Sequence, residues 1–470
     1  MPLDQSLRDR LIEIVGAAAC ISDESAMAPY LHEERGLYRG KAALVVRPGT
    51  TAELAQVVAT CAAAKVAIVP QGGNTGLCGG AVADENEIIV SLGRMNKVRA
   101  IDPMNFTITV EAGCILADVQ RAASEQNCLF PLSLGAEGSC QIGGNLATNA
   151  GGINVLRYGN ARDLVLGLEV VLPDGRIWNG LRSLGKDNTG YALRQLYVGA
   201  EGTFGIITAA VLKLFPRPTE TATAMCAVAT LENATTLLNR ARALSGDAVT
   251  AFELIPRIGL EMCMRHIAGV TDPFQAPHPW YVLIEFSTSR PDASVRLSFE
   301  TLLETAFGEE IITDAVIAES LEQRNNLWRI RESMPEAQKH EGGSIKHDVA
   351  VPVSLVPQFI TQGMQAIAKH FPGARPVPFG HLGDGNIHFN ISQPPGADKA
   401  AYLSQWADMN RLVHDLVMSM NGSISAEHGI GLLKVDEMKH YKDPVELDLM
   451  RRLKRALDPE NLMNPGKVVD

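Results

Sequence analysis

Directly after the apolar run Val66-Ala-Ile-Val69, the chain reads Pro70-Gln-Gly-Gly-Asn-Thr-Gly-Leu-Cys-Gly-Gly80, with glycine at five of the eleven positions. The run has the length and composition of a short buried strand, so the glycines open a loop at a strand end. Glycine there permits positive φ and lets main-chain N–H groups approach a bound anion closely. The diphosphate of a nucleotide cofactor suits such a loop; a tight, mobile turn is the plain alternative. No Gly-Lys-Ser/Thr follows, so this is not a Walker loop, and the G-x-G-x-x-G order of a dinucleotide fold is missing. A phosphate loop here is one of another kind.

The length of 470 residues suggests two or three domains. Hydrophobic and charged contents of 46% and 20% fit a soluble globular protein. A net charge of −11 argues against a broad nucleic-acid face, which needs basic residues. An anionic substrate must therefore be drawn by a local cluster of Arg, Lys or metal. The eight cysteines include no C-x-x-C pair, which fits a reduced compartment without a disulfide framework or a cysteine zinc site. Near the N-terminus Leu7, Leu11, Ile14 and Val15 fall at helical spacing among acids, an amphipathic helix and no signal peptide. No apolar run approaches the roughly 20 residues of a membrane span. A cytoplasmic protein is expected, with a processed organellar matrix protein as the alternative.

Residues 43–217 alternate β-rich runs with helical segments. Ala43–Val46, Val66–Val69, Glu87–Ser91 and Phe106–Val110 read as strands, and Thr51–Ala64 and Ile115–Gln126 as helices. Val165–Leu172, then Pro-Asp-Gly175 and Arg176-Ile-Trp178, is a hairpin signal. Ile206–Phe215 is a long strand stopped by Pro216 and Pro218, the first expected domain boundary. Beyond it strands at Ala227–Ala229, Ala251–Ile255 and Trp280–Phe286 alternate with helices such as Leu231–Ala243 and Ala293–Thr305, and Tyr402–Met420 and Pro444–Leu457 are helical. The expected division is 1–217, 218–420 and 421–470.

Two further glycine-rich runs follow the first: Leu134-Gly-Ala-Glu-Gly-Ser-Cys-Gln-Ile-Gly-Gly-Asn-Leu-Ala-Thr-Asn-Ala-Gly-Gly152 and Val198-Gly-Ala-Glu-Gly-Thr-Phe-Gly-Ile206. Three such loops argue for one extended ligand lying along main chain. Together they resemble the loops of the vanillyl-alcohol-oxidase (PCMH-type) FAD-binding family, densely over residues 40–217 and again at Asn464-Pro-Gly-Lys467. The resemblance implies an α+β fold: a PCMH-type FAD domain of two subdomains, a substrate domain with an antiparallel sheet, and a C-terminal segment returning to the FAD domain. It also implies that Pro70, Gln71, Gly72, Gly73, Asn74, Thr75, Gly76, Leu77 and Gly79-Gly80 wrap the diphosphate. Leu134, Gly135, Gly138, Ser139, Gly143, Asn145, Thr148, Asn149 and Gly151 would contact diphosphate and flavin. Glu201, Gly202 and Ile206 would lie on the adenine side, with Asn464 completing the site. No His stands in the first two loops to tether flavin, and Cys78 and Cys140 are not at a tethering place, so FAD is expected to be non-covalent.

The second domain contains Pro378-Phe-Gly-His-Leu-Gly-Asp-Gly-Asn-Ile-His-Phe-Asn390. Asp384-Gly385 reads as a two-residue hairpin turn, which sets His381 directly opposite His388, with Asn390 on the same face. Two imidazoles so held suit a divalent cation, Zn²⁺ or Mn²⁺; hydrogen-bonded sheet histidines are the plain alternative. Ser423-Ile-Ser-Ala-Glu-His-Gly-Ile-Gly431 offers Glu427 as a third ligand, with His428 beside it. Two His and one carboxylate leave coordination positions for substrate and water.

Both segments closely resemble the metal-dependent D-2-hydroxy-acid dehydrogenases, above all the D-2-hydroxyglutarate dehydrogenases. The likeness extends to Asn325-Asn-Leu-Trp-Arg-Ile-Arg-Glu332 and Gly343-Ser-Ile-Lys-His-Asp348 and covers nearly the whole chain, most weakly between 219 and 320. It implies metal on His381, His388 and Glu427, substrate carboxylate on Arg331 and Lys346, a further substrate contact at Asn390, and His428 as base and substrate contact. It further implies hydride transfer from C2 to flavin N5, and an electron-transfer flavoprotein, quinone or dye as acceptor in place of O₂. Oligomeric state is left open, a homodimer included. One departure stands out: where some 2-hydroxyglutarate enzymes have a Thr for the distal carboxylate, the register from Arg331 gives Pro335, which offers no donor. D-lactate and other R-2-hydroxy acids are therefore alternative substrates, and a flavin-binding subunit without turnover is an alternative of another class.

Overall fold

The computed structural model describes residues 3–246, 248–290 and 295–469. The chain divides into two compact units, one of Met1–Gly151, Tyr158–Arg217 and Glu427–Asp470, the other of Gly152–Arg157 and Pro218–Ala426.

The first unit holds a small sheet in the order Cys20–Ile21, Leu44–Val46, Ile88–Ser91, Ile68–Gln71, its last three strands parallel. Leu44–Val46 and Ile88–Ser91 are buried throughout, which is why they read as unbroken apolar runs. The helix Thr51–Ala63 makes a crossover between parallel strands. Thr50 Oγ1 caps it by accepting the Glu53 N–H at 3.1 Å, and Leu54, Val57, Val58 and Cys61 are its buried face. The first glycine loop leaves the carboxyl end of Ile68–Gln71, where parallel sheets open a crevice for ligands. A second, antiparallel sheet runs Val98–Asp102, Thr107–Glu111, Ile206–Lys213, Val165–Val171, Ile177–Gly180, and the expected hairpin closes through Gly175 at φ +85°. One apolar core joins the two sheets.

The second unit is built on an antiparallel sheet ordered Asp314–Ile317, Glu220–Val228, Trp280–Thr288, Val249–Pro256, Arg375–His381, Asn386–Ser392, Ser344–Ile345, with Asp348–Ala350 also on Asn386–Ser392. Alternation divides its side chains between two cores. Phe252, Leu254, Ile284 and Phe389 pack with the helices Leu231–Ser245, Val295–Gly308, Val356–His370 and Trp406–Ser419. Ala251, Ile255, Val377 and Phe379 pack under Arg257–His266, Leu321–Glu332 and Met334–Lys339. The expected helix start at Ala293 and Ser294 lies outside the described residues.

Two expectations are corrected. The histidine hairpin is in a different register: Phe379, not His381, stands opposite His388, and Val377 opposite Asn390. Strand Arg375–His381 leaves its partner after Phe379 because Gly380 and His381 pair with Leu254 and Glu253 on the other side, and the connection widens beyond a two-residue turn. The chain also rejoins the first unit at Glu427, later than the expected 421, because the intervening backbone stays with the sheet. Ser423 pairs with Ala350, and the Ala426 N–H donates to Asp348 O at 3.3 Å. The excursion Gly152–Arg157 is an addition: Arg157 Nη1 donates to Ser287 O at 2.6 Å. No helix among the described residues is long and apolar enough to cross a membrane, and none of the eight cysteines is in a disulfide.

Candidate active site

The three glycine loops meet within the first unit. A Cβ on Gly72 would touch Gln141 and Gly144 at 3.5 Å, one on Gly73 would drive into the Ser139 carbonyl, and one on Gly202 would press on Pro70 Cγ at 2.5 Å. Gly76, Gly135, Gly138 and Gly144 instead face open space, with nothing within 4 Å of a Cβ. The N–H groups of Gly73, Asn74, Thr75 and Gly76 donate to nothing among the described residues, an arrangement of donors that suits phosphate oxygens. Two side chains of the loop are used elsewhere: Gln71 Nε2 donates to Tyr30 O at 2.9 Å and Asn74 Nδ2 to His32 O at 2.6 Å.

The second loop continues into the short helix Ile142–Ala147. Asn145 Nδ2 reaches Cys140 Sγ at 3.6 Å, Thr148 Oγ1 donates to Gly144 O at 3.1 Å, and Asn149, at φ +53°, accepts the Arg162 N–H at 2.9 Å. Leu134, Ser139 and Gly151 flank this run, and Ile206 starts the central strand of the second sheet. Glu201, expected on the adenine side, is bonded to the last part of the chain. Its carboxylate accepts the N–H groups of Ile430 and Gly431 at 2.7 and 2.8 Å, and its carbonyl accepts Asn464 Nδ2 at 2.7 Å, which also donates to Gly80 O at 2.9 Å. Burial pushes the Glu201 carboxyl up against the opposing pull of those two N–H groups and Lys434. Cys78 is buried, its carbonyl bonded to the N–H groups of Leu432 and Leu433.

On the second unit's sheet, His381 and His388 are diagonal neighbours with ring centroids 5.5 Å apart. The shifted register costs nothing in proximity, since residues two apart on a strand share a face. Glu427 follows directly on the anchored Ala426, and the ligand atoms of His381, His388 and Glu427 all lie within 4.8 Å of one another. A second set, Asp348, Glu427 and His428, meets the same limit. Asp348 is buried, stands opposite His388 and accepts from Asn386 Nδ2 at 2.9 Å.

Arg331 lies at the end of the helix Leu321–Glu332, buried, with its guanidinium 5.0 Å above the Phe379 ring. The same helix is held near its start by Glu285, which accepts from Arg324 Nε and Nη2 at 2.7 and 2.8 Å and from Trp328 Nε1 at 2.9 Å. Glu253 joins Arg331 to His381: its Oε2 accepts Arg331 Nε at 2.6 Å and its Oε1 lies 2.7 Å from His381 Nδ1. Burial alone would raise the Glu253 carboxyl, and the hydrogen bonds from His381 and Arg331 with the Arg331 charge override it, holding it below its ordinary range. Asn390 Nδ2 donates to Gln338 Oε1 at 2.8 Å, and Lys346 is half-buried in the short connection before Asp348. Pro335 stands in the first turn of the helix Met334–Lys339.

Residues 217–468 match the C-terminal domain of FAD linked oxidases, and residues 42–180 match an FAD binding domain. The chain belongs to the FAD-linked oxidases. It is 36% identical to a probable mitochondrial D-2-hydroxyglutarate dehydrogenase of Oryza sativa subsp. indica, over 97% of this chain and 80% of that one. It is 33% identical to a D-2-hydroxyglutarate dehydrogenase of Stutzerimonas stutzeri, over 99% of each chain. A putative mitochondrial D-lactate dehydrogenase of Schizosaccharomyces pombe is 36% identical over 92% of this chain and 82% of its own length. Among solved structures, p-cresol methylhydroxylase shares the fold at a TM-score of 0.77 and 16% identity, covering 98% of this chain and 96% of that one.

The residues of this FAD-linked oxidase fit FAD: four unpartnered loop donors, four glycines facing open space, and the buried Gln141 Oε1 and Asn464 Oδ1 without hydrogen-bond partners. They also fit a divalent cation, through two imidazoles and a carboxylate. Gly73→Ala tests the loop contact. The new methyl must displace the Ser139 carbonyl, so a loss of about 1–3 kcal/mol in stability is expected, together with a clear fall in the flavin-to-protein absorbance ratio. Full flavin loading would mean that the two loops can part without harm.

Glu253 and Asp348 escaped the sequence reading as site residues. The signal for Glu253 was present, since an acid in the middle of Val249-Thr-Ala-Phe-Glu-Leu-Ile-Pro256 is an ionisable group in a strand buried along its length.

Proposed function

We propose that this FAD-linked oxidase oxidises an R-2-hydroxy acid to the 2-oxo acid, with D-2-hydroxyglutarate as its first substrate and 2-oxoglutarate as the product. The observation that carries the reading is the His381, His388 and Glu427 cluster, whose His381 shares a carboxylate with the buried Arg331. A 2-hydroxy acid asks for these two parts, a cation for the hydroxyl with its C1 carboxylate and a guanidinium for carboxylate. The names of the relatives support the same substrate class. The glycine loops would hold FAD, which would supply the hydride acceptor for C2, and His381, His388 and Glu427 would hold a divalent cation, Zn²⁺ before Mn²⁺, which would make the hydroxyl more acidic. His428 takes the hydroxyl proton on a ring nitrogen, a task suited to imidazole. Arg331 and Lys346 hold carboxylate, Arg331 as a planar fork and Lys346 as a point charge. The amide of Asn390, braced by Gln338, adds a further contact. An electron-transfer flavoprotein or a quinone then takes the electrons.

A second reading has its own observation. Pro335, in the first turn of the helix Met334–Lys339, gives the far end of a diacid no donor, which favours shorter acids such as D-lactate or D-malate. The test is anaerobic reduction of the purified flavoprotein by R-2-hydroxyglutarate, R-lactate and R-malate in parallel. Fastest bleaching by R-2-hydroxyglutarate is expected. Fastest bleaching by R-lactate would favour the second reading, and no bleaching by any of them would sink both and leave a flavin subunit without turnover.

A further inference from the structure

We propose that Glu253 is a positioning residue that sets the cation-binding imidazole and the substrate-binding guanidinium with a single carboxylate. The inference rests on the functional reading above and adds to it a residue that touches neither cation nor substrate.

The geometry has three parts. Glu253 stands opposite His381 across the strands Val249–Pro256 and Arg375–His381, so the two side chains rise from the same sheet face. Its two oxygens serve different partners, Oε1 at 2.7 Å from His381 Nδ1 and Oε2 at 2.6 Å from Arg331 Nε. The carboxylate is 1% exposed, and its strand neighbours Phe252 and Leu254 are in the apolar core of the other face.

A carboxylate only accepts hydrogen bonds, so His381 must carry a proton on Nδ1, and the lone pair of the neutral ring falls on Nε2. A histidine fixed in this way is ready to ligate without first changing tautomer or rotating. On the other oxygen the bond uses Arg331 Nε, which leaves Nη1 and Nη2 as the parallel pair for a substrate carboxylate. The Phe379 ring under that guanidinium has its centroid 5.2 Å from that of His388, so both proposed histidine ligands are tied to the arginine, one by hydrogen bonds and one by packing. A buried ion cluster of this kind adds little net stability over an apolar replacement. Specific placement is what distinguishes it from Leu or Met at the same site.

The experiment uses full-length flavoprotein carrying Glu253→Gln, with Glu253→Asp as the variant that keeps the charge while shortening the reach. Cation affinity is measured by competition with a chelator, the Co²⁺-substituted protein by its visible absorption, and turnover by kcat and KM. Flavin content serves as the folding control. Glu253→Gln is expected to weaken cation affinity about 10–100-fold, change the Co²⁺ spectrum and raise KM, with flavin content unchanged. If it fails to give folded flavoprotein, Glu253→Asp is read by the same criteria. Native cation affinity with native KM would overturn the inference, even if thermal stability fell. His388→Ala separates this from the functional reading. If that variant keeps native cation affinity, the metal assignment itself fails. If it loses the cation while Glu253→Gln keeps it, only the positioning role fails.

Discussion

His388→Ala is expected to leave FAD bound and to lower kcat/KM by about 10³-fold or more. His388 projects from the strand Asn386–Ser392 toward His381, its ring half-buried, with ligand atoms of His381 and Glu427 inside 4.8 Å. On the proposed mechanism, removing one of three protein ligands would take away a Lewis acid, which contributes several kcal/mol to stabilising charge as the hydroxyl is ionised. At about 1.4 kcal/mol per tenfold, a loss of about 4 kcal/mol corresponds to the stated factor. The flavin should stay, because the loops assigned to it are held by Ser139, Gln141, Pro70 and Glu201, contacts in which His388 has no part. Exhaustive chelation of the unaltered protein should reproduce the defect, and Zn²⁺ or Mn²⁺ should restore the rate. Full activity in protein stripped of metal would remove the cation from the reaction, and loss of flavin in His388→Ala would move that residue to the cofactor site.

The second large effect is expected at His428. A positioned base contributes about 10²–10⁴-fold, so His428→Gln should lower kcat by that factor while flavin and cation contents stay as they were. The comparison matters because His428 belongs to the second cluster, with Asp348 and Glu427. If His428→Gln loses the cation, the residue is a ligand and another group takes the proton. If the rate is unchanged with both cofactors in place, it has no role in proton transfer. The loop that carries His428 is tied down two and three residues later, where the N–H groups of Ile430 and Gly431 reach the Glu201 carboxylate. A rate defect is therefore expected without general loss of the fold.

The meeting of the glycine loops was legible in the chain because it is a demand on main-chain space. Gly73 and Gly202 are places where any side chain collides with a neighbouring loop, and that demand is written directly as glycine. The helix at Thr51 was legible for a similar reason, its cap and its apolar stripe both being local. The hairpin was harder. Asp384-Gly385 is a sound turn signal, but the register is set by Val249–Pro256, distant in the chain, which takes Gly380 and His381 for itself. Glu253 was hidden by its surroundings, since a strand of Phe, Leu and Ile reads as core unless its one acid is questioned. Nothing in the sequence signalled that the Glu201 carboxylate binds the backbone of 430 and 431. No local pattern announces a partner more than 200 residues away.

The tie between Glu201 and the last part of the chain bears on how the protein is made. The first unit is discontinuous: its sheets are complete by Arg217, and its closing segment begins at Glu427. Until that segment is synthesised, the Glu201 carboxylate has no Ile430 or Gly431 to bind, and Gly80 lacks the amide of Asn464. The intervening sheet unit can form while the first still waits, since domains fold largely as units during synthesis. Completion of the first unit is therefore a late, long-range closure, made only when residue 464 has left the ribosome. A chain stopped early would present folded sheets, with Glu201 and Gly80 still without their C-terminal partners.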